Sequence, residues 1–387
     1  MMVSMLRFPK RSYVGWGSIG ELFQVLRGWG QRNVLVVTDP TLVKIGLVEE
    51  FLSPVNHDFQ ITVYTDVEPE PSLECAERLV AFTRAGSFGC VVGLGGGSAL
   101  DMAKLAAVIP QNKGNIADYL NLTGTMKLEK EGVPKILIPT TSGTGSEVTD
   151  IAVLSLKGTK DVITHDYLLA DVAIVDPQLT LSVPKRVTAA TGIDALTHAV
   201  EAFLSVNASE ATDALALRAV ELIGGSLKTA VENGKDAEAR KAMSTGSYLA
   251  GLAFFNAGVA GVHALAYPLG SQFKLPHGES NAVLLPYVMK TISANCREKM
   301  NTICRILADG VKQVDDWNAE DYLRLFYYFV KDVGLPTTLK EYGIIESKLT
   351  DLTNDAIKQK RLLARSPKPL GENEIHQIYQ MAYSGLQ

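Results

Sequence analysis

Apolar positions in the first half of the chain follow the pattern of short buried strands separated by helices. The predicted strands are almost wholly apolar, and the segments between them repeat apolar residues at helical spacing. Strands are expected at 33–38, 60–64, 90–94 and 135–138, and helices at 41–51, 72–84 and 99–108. Strands of this composition are buried on both faces, so the pattern predicts a parallel sheet covered by helices on both sides.

The pattern changes beyond Pro184. Runs of β-branched residues become rare, and alanine, leucine and charged residues recur at helical spacing, as in 211–231 and 321–330. The segment 176–184 has a proline near each end and is the expected hinge. We therefore predict an α/β domain over residues 1–183 and an all-α domain over residues 184–387.

Charge and cysteine content exclude several classes of protein. The net charge is −5 without a long block of either sign, which argues against a nucleic-acid-binding protein. The four cysteines form no C-x-x-C pair, and reduced thiols in a cytoplasmic protein are expected. The N-terminal residues lack the apolar run of a signal peptide, and no segment reaches the roughly 18 apolar residues of a membrane span. Neither nucleic acid nor a membrane is an expected partner.

A glycine-rich turn follows the predicted strand 90–94. Gly95, Gly96 and Gly97 would let the backbone approach a bulky ligand, and the helix that follows offers free N–H groups to a phosphate. A tight turn between a strand and a helix explains the same glycines. On that interpretation Ser98 caps the helix and Asp101 completes a capping box.

A second loop favours the phosphate interpretation. Residues 140–148 follow the strand at 135–138 and contain five hydroxyl side chains and two glycines, which suits short hydrogen bonds to phosphate or ribose. Asp39 follows the strand at 33–38, where a carboxylate can bind ribose hydroxyls and repel a 2′-phosphate. It could equally cap the next helix. Together these segments predict a dinucleotide site that prefers NAD to NADP.

A carboxylate and three histidines form the one group in the sequence that suits a metal. Asp194 and His198 are four residues apart and share a helix face, although Asp194 with Thr191 also fits a helix cap. His263 and His277 lie in apolar, glycine-flanked segments, whereas the other three histidines sit among polar residues. One carboxylate and three imidazoles suit Fe²⁺ or Zn²⁺ and leave room for a substrate oxygen.

These motifs resemble the iron-containing (group III) alcohol dehydrogenases over nearly the whole chain. The shared segments, in family order and spacing, are Gly95–Ser98 with Asp101 and Lys104, 139–147, 191–198, and His263 with 276–278. The resemblance implies a Rossmann-like N-terminal domain and a helical C-terminal domain, the two-domain fold of dehydroquinate synthase, with a cleft between them. It also implies a homodimer or a larger homo-oligomer.

The resemblance also assigns residues to the two sites. Asp194, His198, His263 and His277 match the four metal ligands of the family. The residues that match its NAD contacts are Gly96, Gly97, Ser98, Thr140, Thr141 and Thr144, and Lys160 matches a further lysine on the cofactor side. We add Asp39 and Asp101 to the expected cofactor site.

One position departs from many members of the family. Tyr267 stands where they carry a histidine that is thought to pass a proton from substrate to solvent. Tyr267 either serves that role, for which it needs a positive neighbour or the metal, or only shapes the pocket. The segments around Tyr267 and His277 look more like those of 4-hydroxybutyrate dehydrogenases and hydroxyacid–oxoacid transhydrogenases, although no basic residue is identifiable as a partner for a carboxylate.

The expected function is hydride transfer between NAD(H) and a small primary alcohol or aldehyde. An ω-hydroxy acid dehydrogenase or transhydrogenase is the alternative within the family. An NAD- and metal-dependent lyase of the dehydroquinate synthase type is the alternative of another class, and an NAD-binding scaffold without catalysis is a third.

Overall fold

A computed structural model describes residues 3–52, 58–156, 159–308 and 314–386. His57 lies outside these ranges. The chain forms two compact units, Phe8–Ser182 and Val183–Gln387, the second including Met1–Arg7. Arg7 joins that unit because its backbone N–H donates to Asn256 Oδ1 at 2.7 Å and its carbonyl accepts from Asn256 Nδ2 at 3.1 Å.

The first unit is built on a wholly parallel sheet, as predicted, and this sheet has six strands. Its strands are β1 (Arg11–Val14), β2 (Asn33–Val37), β3 (Gln60–Tyr64), β4 (Cys90–Gly95), β5 (Lys135–Pro139) and β8 (Val172–Val175), in the order β1-β8-β5-β4-β2-β3. A separate antiparallel hairpin joins β6 (Ile151–Leu156) to β7 (Thr159–Thr164).

Helices cover both faces of the sheet. They are α1 (Glu21–Trp29), α2 (Pro40–Lys44), α3 (Leu47–Leu52), α4 (Leu73–Ala85) and α5 (Gly97–Val108). In β2, Val34 and Val36 pack with α1 to α3, whereas Leu35 and Val37 pack with α4 and α5. Because both faces of β2 are buried, its sequence is an uninterrupted apolar run.

Several elements differ from the prediction. The single helix expected at 41–51 is divided into α2 and α3, because Gly46 between them adopts a left-handed φ of 79° that ends the helix. Strands β1 and β8 and the β6–β7 hairpin were not predicted. Four-residue strands such as β1 and β8 are too short to give a clear periodic signal.

The described part of the second unit is helical, as expected. Its helices are α6 (Lys185–Leu204), α7 (Glu210–Glu232), α8 (Ala237–Ala257), α9 (Gly261–Phe273), α10 (His277–Ile292), α11 (Arg297–Leu307), α12 (Ala319–Asp332), α13 (Leu349–Ala356), α14 (Lys360–Leu363) and α15 (Glu372–Ser384). Helix α6 is buried along most of its length, so its polar residues lie inside the unit.

Among the described residues, no single helix meets the length and hydropathy required to span a membrane. Helices α8 and α9 meet them only as a pair, bent by 103°.

Candidate functional site

The predicted dinucleotide segments meet at one edge of the sheet. The chain places β3 on one side of β2 and β4 on the other, so the order of strands reverses between β2 and β4. In open parallel sheets, ligands bind at the carboxyl ends of the strands beside such a reversal. Asp39 follows β2, and Gly96 follows β4, so both flank this position.

The glycine turn leaves the start of α5 open. Gly96 is the N-cap residue, no side chain caps the helix, and Gly95 has a φ of 157°. A Cβ added at Gly97 would lie 2.8 Å from the side chain of Thr144, so only glycine fits against the hydroxyl-rich loop. An open helix terminus lined by glycines suits a pyrophosphate.

The capping-box interpretation of this turn is wrong. Helix α5 begins at Gly97, one residue before Ser98. Ser98 Oγ accepts a hydrogen bond from the backbone N–H of Glu70 at 3.1 Å. Asp101 lies beyond the first turn of α5, so it is not in the position of a capping residue. Ser98 therefore connects the glycine turn to the segment that follows β3.

Asp101 is held by groups of the protein. One carboxylate oxygen accepts from Ser146 Oγ at 2.5 Å and from Lys104 Nζ at 3.2 Å, and the other accepts from the backbone N–H of Val153 at 3.0 Å. These bonds join α5 to the hydroxyl-rich loop and to β6. They favour a role for Asp101 in supporting the hydroxyl-rich loop rather than in contacting the cofactor directly.

Lys104 is completely buried under the same loop. Its ammonium group donates to Ser146 Oγ at 2.8 Å, Thr149 Oγ1 at 3.1 Å and the carbonyl of Ile151 at 2.7 Å. Burial lowers the pKa of Lys104, opposed by Asp101 and neighbouring carboxylates. Burial also raises the pKa of Glu147 to about 7, against the opposing charge of Lys104.

Replacing Glu147 by glutamine is expected to change how stability depends on pH. Because the folded state raises this pKa from 4.5 to about 7, the native protein holds the proton more tightly, and stability falls as pH rises through that interval. The variant loses this term and should gain up to about 3 kcal/mol over the wild type near pH 8 and little near pH 4. Thermal unfolding at both pH values measures it, with the exposed Glu129→Gln as control. Parallel profiles for wild type and Glu147→Gln would contradict it.

Asp39 caps the helix that follows it, and one of its oxygens is still available to bind a ribose hydroxyl. Its Oδ1 accepts from the N–H groups of Thr41 and Leu42 at 2.9 and 3.2 Å, so it caps α2. A Cβ added at Gly95 would lie 3.5 Å from Oδ2, so that oxygen faces the glycine turn. Thr38 beside it is fully buried, and its Oγ1 has no hydrogen-bond partner in the described chain. The free orientation of Asp39 Oδ2 and the open glycine turn fit a ligand that brings its own polar groups.

Lys160 also lies near the glycine turn. It belongs to β7 and is buried, and its ammonium group lies 3.1 Å from a carboxylate oxygen of Glu70. Glu70 has a φ of 50°, which is uncommon outside glycine. Its backbone N–H donates the hydrogen bond to Ser98 Oγ described above. Lys160, Glu70 and Ser98 thus form one chain of contacts at the start of α5.

Substituting Gly97 by alanine is expected to weaken NAD⁺ binding about tenfold or more, since the added Cβ must displace Thr144 from the loop. Calorimetric titration with NAD⁺ measures the effect. Gly28→Ala is the matched control, because a Cβ at that position meets no atom within 4 Å. Unchanged affinity in the Gly97 variant would exclude the turn as the pyrophosphate site.

The predicted metal ligands come from three helices of the second unit. Asp194 and His198 lie one turn apart on α6, His263 lies in the first turn of α9, and His277 begins α10. Since α6 starts at Lys185, Thr191 lies within the helix and donates from Oγ1 to the carbonyl of Val187 at 2.8 Å. The capping interpretation of Thr191 and Asp194 is therefore wrong.

The geometry of the four side chains fits a metal ion. The Nε2 atoms of His198, His263 and His277 lie 4.0, 3.8 and 3.6 Å from Asp194 Oδ1, and all four ligand atoms lie within 4.8 Å of one another. Bonds of about 2.0–2.2 Å place two ligand atoms roughly 3.4 Å apart in a tetrahedron and at most about 4.2 Å apart. A small inward movement of the side chains completes such a site.

Burial differs among the ligands. Asp194, His198 and His263 are buried, whereas the side chain of His277 is 28% exposed. Burial alone would raise the pKa of Asp194, but the three histidines and an N–H of Asn281 outweigh it and hold that pKa below its usual value. The His277 side is the accessible side of the site.

Glu201 orients one of the ligands. Its carboxylate lies 2.7 Å from His263 Nδ1 and accepts the N–H groups of Ala260 and Val262 at 2.9 and 2.6 Å. A carboxylate at Nδ1 places the proton there and leaves the Nε2 lone pair for a metal. Glu201 thereby fixes both the ring and the backbone that leads into α9.

Asn281 lies among the ligand atoms. Its Nδ2 donates to Asp194 Oδ1 at 2.7 Å and lies 3.1 and 3.4 Å from the Nε2 atoms of His263 and His277. Its Oδ1 is buried and has no hydrogen-bond partner in the described ranges. An orphaned amide oxygen beside four converging ligands is further support for an ion at this position.

Two aromatic rings lie beside the ligands, and an arginine interacts with one of these rings. Phe254 stacks on His198 with ring centroids 4.2 Å apart, and Tyr267 lies 6.3 Å from His277. Arg365 packs against Gly258 and interacts electrostatically with Tyr267. This is the positive neighbour of Tyr267 that the sequence did not identify.

Sequence reasoning missed Glu201, Asn281, Phe254 and Arg365. Two of them carried a local signal: Glu201 lies two helical turns after Asp194, and Asn281 lies one turn after His277. Phe254 reaches His198, and Arg365 reaches Gly258, through the packing of segments that are distant in sequence, which helical spacing does not reveal.

Two features define the class of this protein: a glycine turn for a dinucleotide at the strand reversal, and a four-ligand centre with one accessible side. Together they are typical of a metal-dependent oxidoreductase that uses a nicotinamide cofactor. The chain belongs to the iron-containing alcohol dehydrogenase family. The family model "Iron-containing alcohol dehydrogenase" matches residues 9–177, and "Fe-containing alcohol dehydrogenase family, C-terminal" matches residues 188–383.

Known proteins similar to this chain agree with the family. Long-chain-alcohol dehydrogenase 1 of Geobacillus thermodenitrificans is 60% identical over 100% of this chain and 98% of its own length. The structure of 1,3-propanediol oxidoreductase has a TM-score of 0.92 at 32% identity and covers 99% of this chain and 100% of its own. Sulfoacetaldehyde reductase of Bifidobacterium kashiwanohense, solved with NAD⁺, has a TM-score of 0.90 at 30% identity with the same coverage.

These findings confirm the predicted family, the two-part fold and the predicted class of enzyme, an oxidoreductase acting on small-molecule alcohols. They also support NAD and iron as cofactors. The dehydroquinate synthase-type lyase and the non-catalytic scaffold are not supported by the family assignment. The roles of individual residues, and the cleft between the domains, stay predictions.

Proposed function

We propose that this protein is an NAD-dependent, iron-dependent dehydrogenase that interconverts small primary alcohols and aldehydes. The observation that carries the proposal is the ligand group Asp194, His198, His263 and His277, in which three members are buried and one faces an accessible side. When bound, the metal supplies a Lewis acid for the substrate oxygen, and NAD⁺ supplies the hydride acceptor.

The residues of the chain hold the metal ligands in place, bind the cofactor and exclude water from the site. In the second unit, Glu201 fixes the ring of His263, Asn281 holds the carboxylate of Asp194, and Phe254 covers His198 against water. In the first unit, the N–H groups that follow Gly96 suit the pyrophosphate, and Asp39 suits the ribose while repelling a 2′-phosphate.

Tyr267 is the proposed route for the proton that leaves the substrate alcohol. Its ring lies 6.3 Å from that of His277, on the accessible side of the ligand group, and Arg365 supplies a positive charge beside it. A neighbouring cation favours the phenolate form of a tyrosine, which a proton acceptor needs.

The substrate panel that tests the proposal follows NADH formation by anaerobically prepared, Fe²⁺-loaded protein. It contains short primary alcohols, a diol, a long-chain alcohol and 4-hydroxybutyrate. Turnover of several members supports the proposal. A protein that binds both NAD⁺ and iron yet forms no NADH from any of them would contradict it and favour an enzyme that recycles its NAD⁺.

We further propose that the protein acts in the cytoplasm as a homodimer or larger homo-oligomer, using Fe²⁺ with Zn²⁺ as the alternative ion. The support is the family resemblance and a ligand set that suits both ions. Light scattering of the purified protein tests the assembly, and a single-chain mass would contradict it.

A further inference from the structure

The buried ammonium group of Lys104 ties helix α5 to the end of the hydroxyl-rich loop. Lys104 lies about two helical turns after Gly97, and its side chain is completely buried. Its partners are one carboxylate, two hydroxyls and one backbone carbonyl, from Asp101, Ser146, Thr149 and Ile151. Burial of an ammonium is unfavourable unless its N–H groups are satisfied, so these acceptors fix the position of the group and are themselves fixed by it.

A chain of contacts leads from Lys104 to the glycine turn. Lys104 Nζ donates to Ser146 Oγ at 2.8 Å, and the backbone N–H of Ser146 donates to Thr144 Oγ1 at 3.3 Å. The side chain of Thr144 in turn lies 2.8 Å from the position of a Cβ added at Gly97. Because Thr144 Oγ1 accepts from the backbone, its hydroxyl proton is left to donate to a phosphate oxygen at the turn.

Two other hydroxyls of this region serve the protein and not a ligand. Ser146 Oγ accepts from Lys104 and donates to Asp101 Oδ1 at 2.5 Å. Thr149 Oγ1 accepts from Lys104 at 3.1 Å and donates to the carbonyl of Ser146 at 3.4 Å. Both side chains are buried. A ligand at the glycine turn therefore meets Thr144, while Ser146 and Thr149 hold the loop from below.

We propose that Lys104 is a positioning residue for the cofactor: through Ser146 it holds Thr144 against the glycine turn, where the Thr144 hydroxyl donates to the pyrophosphate of NAD⁺. The inference rests on the proposed function and concerns its cofactor site. Lys104 does not touch the cofactor, because its side chain is completely buried. Its effect is to set the directions of the loop hydroxyls before the ligand arrives, and such preorganisation lowers the entropy lost on binding.

Lys104→Met is the variant that tests this role. Methionine keeps the length and the apolar stem of the side chain but removes the N–H donors. The variant should bind NAD⁺ about tenfold or more weakly, because Thr144 is no longer fixed at the turn. Its affinity for Zn²⁺ should equal that of the wild type, since the predicted metal ligands belong to the second unit. Calorimetric titrations of the metal-free protein with NAD⁺ and with Zn²⁺ measure both.

Lys135→Met is the matched control. Lys135 is 1% exposed and lies 3.3 Å from Asp171, much as Lys104 is buried and lies 3.2 Å from Asp101. Lys135 begins β5, at the opposite end of that strand from the hydroxyl-rich loop, roughly 13 Å away at the usual rise per residue. This variant should lose thermal stability and keep its NAD⁺ affinity. Equal weakening of NAD⁺ binding in the two variants would overturn the proposal in favour of a general loosening of the unit.

A double-mutant cycle tests whether Lys104 acts through Thr144. Thr144→Val removes the hydroxyl and keeps the shape of the side chain against Gly97. In that background, Lys104→Met should weaken NAD⁺ binding less than about threefold, compared with about tenfold in the wild type. Fully additive losses would overturn the proposed route.

Ser146→Ala tests the same link if Lys104→Met does not fold. It removes the oxygen through which Lys104 reaches the loop and leaves the ammonium group its other acceptors. It should weaken NAD⁺ binding about threefold or more. Unchanged NAD⁺ affinity in either folded variant would overturn the positioning role and leave the dehydrogenase intact. A wild-type protein that does not bind NAD⁺ would overturn the positioning role and the proposed function together.

Discussion

Replacing His198 by alanine is expected to remove bound iron and alcohol oxidation together, with activity falling at least about 10³-fold. His198 is buried on α6, one turn from Asp194 and 4.0 Å from its carboxylate. An alanine leaves three ligands around an ion that needs at least four, and solvent reaches the gap poorly under the ring of Phe254. Metal content of the purified variant and NADH formation by it are the two measurements.

The control for this substitution is His376→Ala. His376 lies on α15, where Thr353 Oγ1 approaches its ring at 3.3 Å, and it belongs to no metal-ligand group in the described ranges. It should keep both iron and turnover. If His198→Ala also kept its iron and turnover, the assignment of the ligands would be wrong.

Replacing Glu201 by glutamine is expected to weaken metal binding about 10- to 100-fold, although Glu201 is not a ligand. The glutamine keeps the size of the side chain and one acceptor for the N–H groups of Ala260 and Val262. It loses the charge that holds the proton on His263 Nδ1, so the ring is less firmly oriented toward Asp194. Titration of the metal-free protein with Zn²⁺ gives the affinity directly, independent of turnover.

Glu232→Gln provides the matched comparison, because Glu232 is exposed at the end of α7. It should leave Zn²⁺ affinity unchanged. Should Glu201→Gln bind Zn²⁺ as tightly as the wild type, the carboxylate would serve only to position the backbone before α9.

The sequence predicts the central strands and both sites because their signals are local. Strands β2 and β4 are apolar on both faces, and the spacing of Asp194 and His198 places them on one helix face. The apolar, glycine-flanked settings of His263 and His277 add these two residues, which lie far from that pair along the chain, and the motif resemblance supports the set of four. The family matches over 9–177 and 188–383 agree with how much of the chain the motifs cover.

Other features depend on contacts between distant segments. The two capping alternatives failed because helix starts depend on the preceding chain: α5 begins at Gly97 and α6 at Lys185, each before the expected cap. Asp39 does cap its helix, and its second oxygen still faces Gly95, so a local rule could not separate the two roles. Arg365 contacts Gly258, which is more than one hundred residues away in the sequence, and no spacing rule predicts such a contact.

The central claim is that alcohol oxidation with NAD⁺ depends on one metal ion bound by Asp194, His198, His263 and His277. Titration of anaerobic, metal-free protein with Fe²⁺ in the presence of NAD⁺ and a primary alcohol tests it most directly. The account predicts that NADH formation starts near zero, rises in proportion to added Fe²⁺, and levels off at one ion per chain. Full activity of the metal-free protein would contradict it.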